Sequence, residues 1–129
     1  MRRELQQKLF EKYPDLYRLR IAKEGEPLEP IVFGIECEDG WFDLIDRLSQ
    51  QVVSLDPEAT VVQVKEKFGG LRFYLNGSHD AWEASMKAEE ESYTICEACG
   101  KPGTLRDNDR FYIQTLCDEH AKEESSPSY

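Results

Sequence analysis

Apolar positions along this chain recur at two periods, and they predict most of its elements. The cleanest helical pattern is Trp41, Leu44, Ile45, Leu48 and Val52, spaced i, i+3, i+4, i+7, i+11. Asp43, Asp46, Arg47, Gln50 and Gln51 fall on the other side. This predicts a helix over 41–55, started at Asp39 or Gly40 and ended by Asp56-Pro57. Leu5, Leu9 and Tyr13, with Phe10 and Leu16, predict a shorter helix over 2–13, limited by Pro14. A third helix, over 81–93, is capped by Ser78 or Asp80 and carries Trp82 and Met86 along its apolar side. Residues 16–21 fit a strand or a turn, 24–30 a loop, and 31–37 a β-branched strand.

The strongest strand signal is a hairpin. Two β-rich runs, 60–68 and 71–76, flank Gly69-Gly70, a pair that readily takes the positive φ angles of a primed turn. With those glycines as the turn, Phe68 faces Leu71 and Val64 faces Leu75, and Val62 and Phe73 join that core face. Lys65, Lys67, Arg72 and Tyr74 then share the opposite face, with Lys67 set against Arg72. A second hairpin is predicted from 104–106 and 110–116 around Asp107-Asn108-Asp109, with a short helix starting near Asp118. The fold class is α+β: a small antiparallel sheet with packed helices and a C-terminal zinc-ribbon-like annex. The expected division is a core over 1–93, a metal-binding knuckle or ribbon over 94–122, and a flexible tail over 123–129.

Charge narrows the partners. The formal net charge is -10 over 129 residues, which disfavours a nonspecific nucleic-acid binder. The balance is uneven, because residues 1–23 carry seven Lys/Arg against three Asp/Glu. That basic start reads as one face of a solvated amphipathic helix. Leu9-Phe10 is too short an apolar run for a signal peptide, and no run of about 20 apolar residues predicts a membrane span. The expected compartment is a reducing cytoplasm, where cysteines favour metals over disulfides.

Candidate chemistry centres on Cys96-Glu97-Ala98-Cys99 and Cys117-Asp118-Glu119-His120. Two pairs of soft ligands, each with two residues between them, flank a seventeen-residue insert. Such spacing lets each pair chelate one ion from a tight turn, and Gly100 supplies the permissive backbone after the first pair. The expectation is one structural Zn2+ per chain, held by Cys96, Cys99, Cys117 and His120. Cys37 reads as a buried free thiol, with the alternative that it replaces His120 as a ligand. His79 reads as a surface residue at a helix start.

Two charged clusters carry weaker signals. Lys65, Lys67, Arg72 and Tyr74 form a possible anion or partner contact on the hairpin, or they pair with the protein's own carboxylates. Glu36, Glu38, Asp39 and Asp43 read as helix-start charges rather than a hard-cation site. The motifs of zinc deaminases, P-loop proteins, serine hydrolases of the G-x-S-x-G type and H-E-x-x-H proteases are not in the sequence.

The run from Val64 to Tyr74, the Gly40-Trp41-Phe42-x2-Ile45 helix start and the annex Cys96-x2-Cys99-Gly100 … Leu116-Cys117-x2-His120-Ala121 together resemble small bacterial and phage proteins with a C-terminal Cys3His zinc knuckle. The resemblance spans roughly residues 31–121. It implies the four ligands and a phage or prophage context, and it brings no activity with it. The functional expectation is a non-catalytic regulatory or interaction protein with a protein partner, acting on a host protein. The alternative is a nucleic-acid-binding zinc ribbon using Lys65, Lys67, Arg72, Arg106 and Arg110.

Overall fold

The computed structural model describes residues 1–17, 34–109 and 112–125. The expected features over 18–33, at Arg110 and Phe111 and over 126–129 lie outside the described residues.

Helix α1 (Arg3–Lys12) opens the chain, and β1 (Ile35–Glu36) and a single 3-10 turn (Asp39–Trp41) lead into α2 (Phe42–Leu55). Strands β2 (Thr60–Lys67) and β3 (Gly70–Asn76) follow, then α3 (His79–Ser92), β4 (Thr104–Asp109), β5 (Tyr112–Leu116) and α4 (Asp118–Ser125). The architecture is α+β, with a three-stranded sheet in the order β1-β2-β3 and a separate β4-β5 hairpin. The first sheet is mixed, because β1 runs parallel to β2 while β2 and β3 are antiparallel. Among the described residues no helix is long and apolar enough to cross a membrane.

Helix α2 buries the stripe its period predicts, with Trp41, Leu44, Ile45, Leu48 and Val52 all in the core. Its start is not capped by Asp39 or Gly40. Both lie in the 3-10 turn, where the Asp39 carboxylate instead takes the Arg2 backbone N–H and ion-pairs with its guanidinium. Helix α1 seats Leu9 against the core. After it, the Tyr13 hydroxyl donates to Asp46 and the Tyr17 hydroxyl lies 2.6 Å from Ser49 Oγ. Val61 N–H reaches Leu16 O at 2.7 Å, which joins this segment to β2.

The β2-β3 turn sits one residue earlier than expected. Its central residues are Phe68 and Gly69, with φ angles of 54° and 82°, and Lys67 pairs with Gly70. Gly70 is needed elsewhere, because a Cβ there would overlap the Tyr93 hydroxyl. From Gln63 to Lys67 every pairing therefore moves by two residues, so Val64 faces Phe73 and Lys65 faces Arg72. A two-residue move keeps each side chain on its expected face. Two residues read for the core face are exceptions: Phe68 becomes part of the turn and is exposed, and an irregularity between Val61 and Gln63 turns Val62 out to solvent and places Val61 in the core.

Helix α3 begins at Ser78, whose Oγ accepts the Ala81 N–H at 3.2 Å. Its buried stripe is Ala81, Ala84, Ser85, Ala88 and Ser92. Trp82 and Met86 face solvent, contrary to the apolar side read for them. Small residues let the helix backbone come close to the sheet, and larger ones would hold it off.

Phe68 occupies the left-handed region while 62% exposed, so it gains little from burial to offset its conformational cost. Asn-Gly is the favoured pair for such a turn. Phe68→Asn is expected to raise stability in urea unfolding by about 0.5–1 kcal/mol. A loss of stability would mean that the ring holds the turn in place.

Candidate metal centre

The four predicted ligands converge. One donor atom from each of Cys96, Cys99, Cys117 and His120 lies within 4.8 Å of all the others. Cys99 Sγ is 3.8 Å from Cys117 Sγ, and His120 Nδ1 is 3.8 Å from Cys96 Sγ and 3.2 Å from Cys117 Sγ. A zinc tetrahedron with Zn–S of about 2.3 Å and Zn–N of about 2.0–2.1 Å has edges of about 3.8 Å between sulfurs and about 3.6 Å from sulfur to nitrogen. Donor chemistry and spacing both fit that ion.

Local backbone geometry places each pair. Cys96 and Cys99 sit on a tight knuckle, in which Gly100 N–H donates to Cys96 O and Cys96 N–H to Lys101 O. Gly100 has φ 83°, which favours glycine. Cys117 precedes α4, and Ala121 N–H closes the first turn on Cys117 O at 2.9 Å. The ligands thus come from a knuckle and from the first turn of a helix, with the β4-β5 hairpin between them. Hydrogen bonds from the His120 backbone amide and ring lower the Cys117 thiol to about 6, which favours the thiolate that a metal requires. Arg106 links hairpin and helix, donating to Leu116 O at 3.0 Å and to Asp118 at 2.7 Å.

This unit is built onto the core rather than tethered to it. Gly40 N–H donates to Glu97 O at 2.6 Å, and Trp41 Nε1 donates to Ile95 O at 2.9 Å. A Cβ on Gly40 would overlap the carbonyl oxygens of Cys96 and Glu97. On the other side, buried Thr115 donates through Oγ1 to Gly69 O at 2.7 Å. Leu105 Cδ1 fills the space that a Gly69 side chain would need.

Glu97 was not singled out by sequence reasoning, although it stands between two ligands. It is buried, and its Oε2 accepts the Glu38 N–H at 3.0 Å. Its other oxygen has no hydrogen-bond partner. Burial, assisted by the negative charges of Glu38 and Glu66, pushes its carboxyl up to about 7, against the pull of the Glu38 amide.

The remaining candidate residues sort by their partners. Cys37 is a free thiol buried in the core cluster, and the fourth donor beside the three converging cysteines is His120. His79 is the exposed first residue of α3, 3.6 Å from Glu83. With Asp80 and Glu83 it forms a wholly exposed group of donors. On the hairpin face Arg72 is held by Glu89 at 2.6 Å. Lys65 stands over the Tyr74 ring at 5.9 Å, and Lys67 over the Phe68 ring at 5.6 Å. Among the described residues neither lysine makes an ion pair.

Comparison of the chain with protein-family models, with curated proteins and with solved structures finds no significant match.

The crowding at Gly40 yields a direct test. Gly40→Ala is expected to destabilise the protein by more than about 2 kcal/mol in chemical unfolding and to raise the exposure of Trp41 to a fluorescence quencher. Wild-type stability in this variant would mean that the knuckle backbone does not press on the helix start.

Proposed function

We propose that this chain is a non-catalytic, zinc-stabilised interaction protein of phage or prophage origin that acts on a protein in the cytoplasm of a bacterial host. The observation that carries the structural role of the metal is the closed Cys3His donor set. Four protein ligands complete a tetrahedron and leave no position for a water or a substrate. The ion would supply folding free energy to a knuckle, hairpin and short helix whose buried apolar cluster, among the described residues, is Cys96, Leu116, Cys117 and Ala121, with Ala98 packed against it. The phage context rests on the sequence resemblance alone.

The nucleic-acid reading is the weaker one. It draws on five basic residues, and the structure engages two of them internally, Arg72 with Glu89 and Arg106 with Asp118. Lys65 and Lys67 keep it alive, against a net charge of -10.

Metal analysis of the protein purified without added zinc is expected to find about one zinc per chain, the full complement of a single four-ligand site. Cys117→Ser is expected to lower that content. It should also unfold the C-terminal unit and loosen the Trp41 indole, which bonds to Ile95 O. Full zinc content with unchanged melting in the variant would remove the four-ligand assignment.

Affinity capture from host lysate, with and without nuclease, separates the two functional readings. A specific protein that remains bound after nuclease treatment is the expected result. Bound material that disappears with nuclease would transfer the function to nucleic acid.

A further inference from the structure

We propose that the slot between β3 and α3 docks an extended acidic segment of a partner protein, seating one large apolar side chain beside Trp82 and setting a carboxylate against Lys65. The proposal rests on the interaction reading above and names the site and the chemistry of its partner.

The slot follows from how α3 packs. Its small-residue stripe faces the core, which leaves Trp82 52% and Met86 39% exposed, beside Tyr74 at 44%. These side chains are not scattered. With Phe73 and Leu75 they line a cavity of about 120 Å³, bounded at one end by the Arg72–Glu89 ion pair. Small-molecule sites usually measure about 300–1,000 Å³. This slot is smaller, on the scale of a single side chain. Exposed Trp, Tyr and Met around a small apolar pocket are the residue types that anchor protein interfaces.

The strand edge favours an extended occupant. Leu71 N–H points away from β2 and donates to Ser92 Oγ at 3.0 Å. Backbone alternation turns Phe73 and Leu75 to the same edge, and among the described residues no strand pairs with it. An extended segment can lie along such an edge and send alternate side chains into a pocket.

Charge selects an acidic segment. Arg72 is already neutralised by Glu89, whereas Lys65, over the Tyr74 ring, makes no ion pair among the described residues. Glu36, its neighbour across the β1-β2 register, accepts from Gln63 Nε2 instead. An uncompensated lysine beside an apolar pocket complements a carboxylate next to an apolar side chain. A polyanion would meet the same lysine. With one lysine free of an ion pair at the slot among the described residues, it could gain only a few phosphate contacts.

The test uses the full zinc-loaded chain and a displayed library of random dodecapeptides. The expected selection pairs a large apolar residue with a nearby Asp or Glu. A synthetic peptide of that consensus should bind Trp82→Ala and Lys65→Glu each about tenfold more weakly, the scale of one lost interface anchor. Trp82 is exposed and Lys65 is half-buried at the sheet surface, and circular dichroism checks that the variants fold. Exchanging the peptide's acid for Lys should recover binding to Lys65→Glu. The proposal is overturned if no peptide is enriched, or if the enriched peptides bind both variants as they bind wild type. It is also overturned if a thymidine oligonucleotide binds more tightly at near-physiological salt and is lost in the same variants, or if Trp82→Ala dissolves a dimer of the chain. A captured host protein whose binding ignores both changes would leave the interaction reading standing and remove this site.

Discussion

The contact on which the rest of the structure depends is the approach of the Gly40-Trp41 backbone to the Cys96-Glu97 knuckle. No side chain fits between them, because the Gly40 amide itself bonds the Glu97 carbonyl. Trp41 then extends beneath the knuckle, wholly buried, with its indole N–H on Ile95 O. The helix that organises the core and the turn that presents two of the candidate metal donors are therefore parts of one packed unit. Free energy released by closing the tetrahedron would not remain in the C-terminal third. It would fix the carbonyls on which the start of α2 rests, and so bear on the core.

The joint also buries polar groups. Glu97 and Thr115 are buried between the two halves, and each holds a backbone group of the other half: Glu38 N–H and Gly69 O. Buried polar contacts add little net stability, yet they are costly to leave unmade. They penalise any docking of the halves other than this one. Glu97 carries the largest cost, with one oxygen unpartnered and its carboxyl raised to about 7. A carboxyl group at this point, between two candidate metal donors in the chain, favours the geometry over the stability of the joint.

What was legible in the sequence had local causes. The convergence of the four candidate donors could be read because chelation from a tight turn fixes their spacing, and α2 because its apolar period is unbroken. The hairpin's faces were legible for the same reason, since side-chain alternation survives a two-residue change in pairing. The turn itself was misplaced because Gly70 answers to Tyr93, seen only once α3 is packed. The inner side of α3 was misread because large apolar residues were assigned to the core. Close approach of that helix instead selected alanine and serine. Glu97 gave no local signal, since a charged residue within a knuckle is ordinarily on the surface.

The same selection at α3 bears on what the protein does. Burying a large apolar side chain is worth about 1.5–3 kcal/mol, and here Trp82 and Met86 gain only part of that. Single exposed apolar residues are ordinary on protein surfaces. A Trp and a Met one helical turn apart, facing a strand edge across a small pocket, form a contiguous feature. A metal held by all four donors would have no open position for a substrate. On the proposed interaction reading, the interior holds two halves in one arrangement and recognition would fall to the surface, where the α3–β3 slot sets apolar side chains near a lysine that makes no ion pair among the described residues.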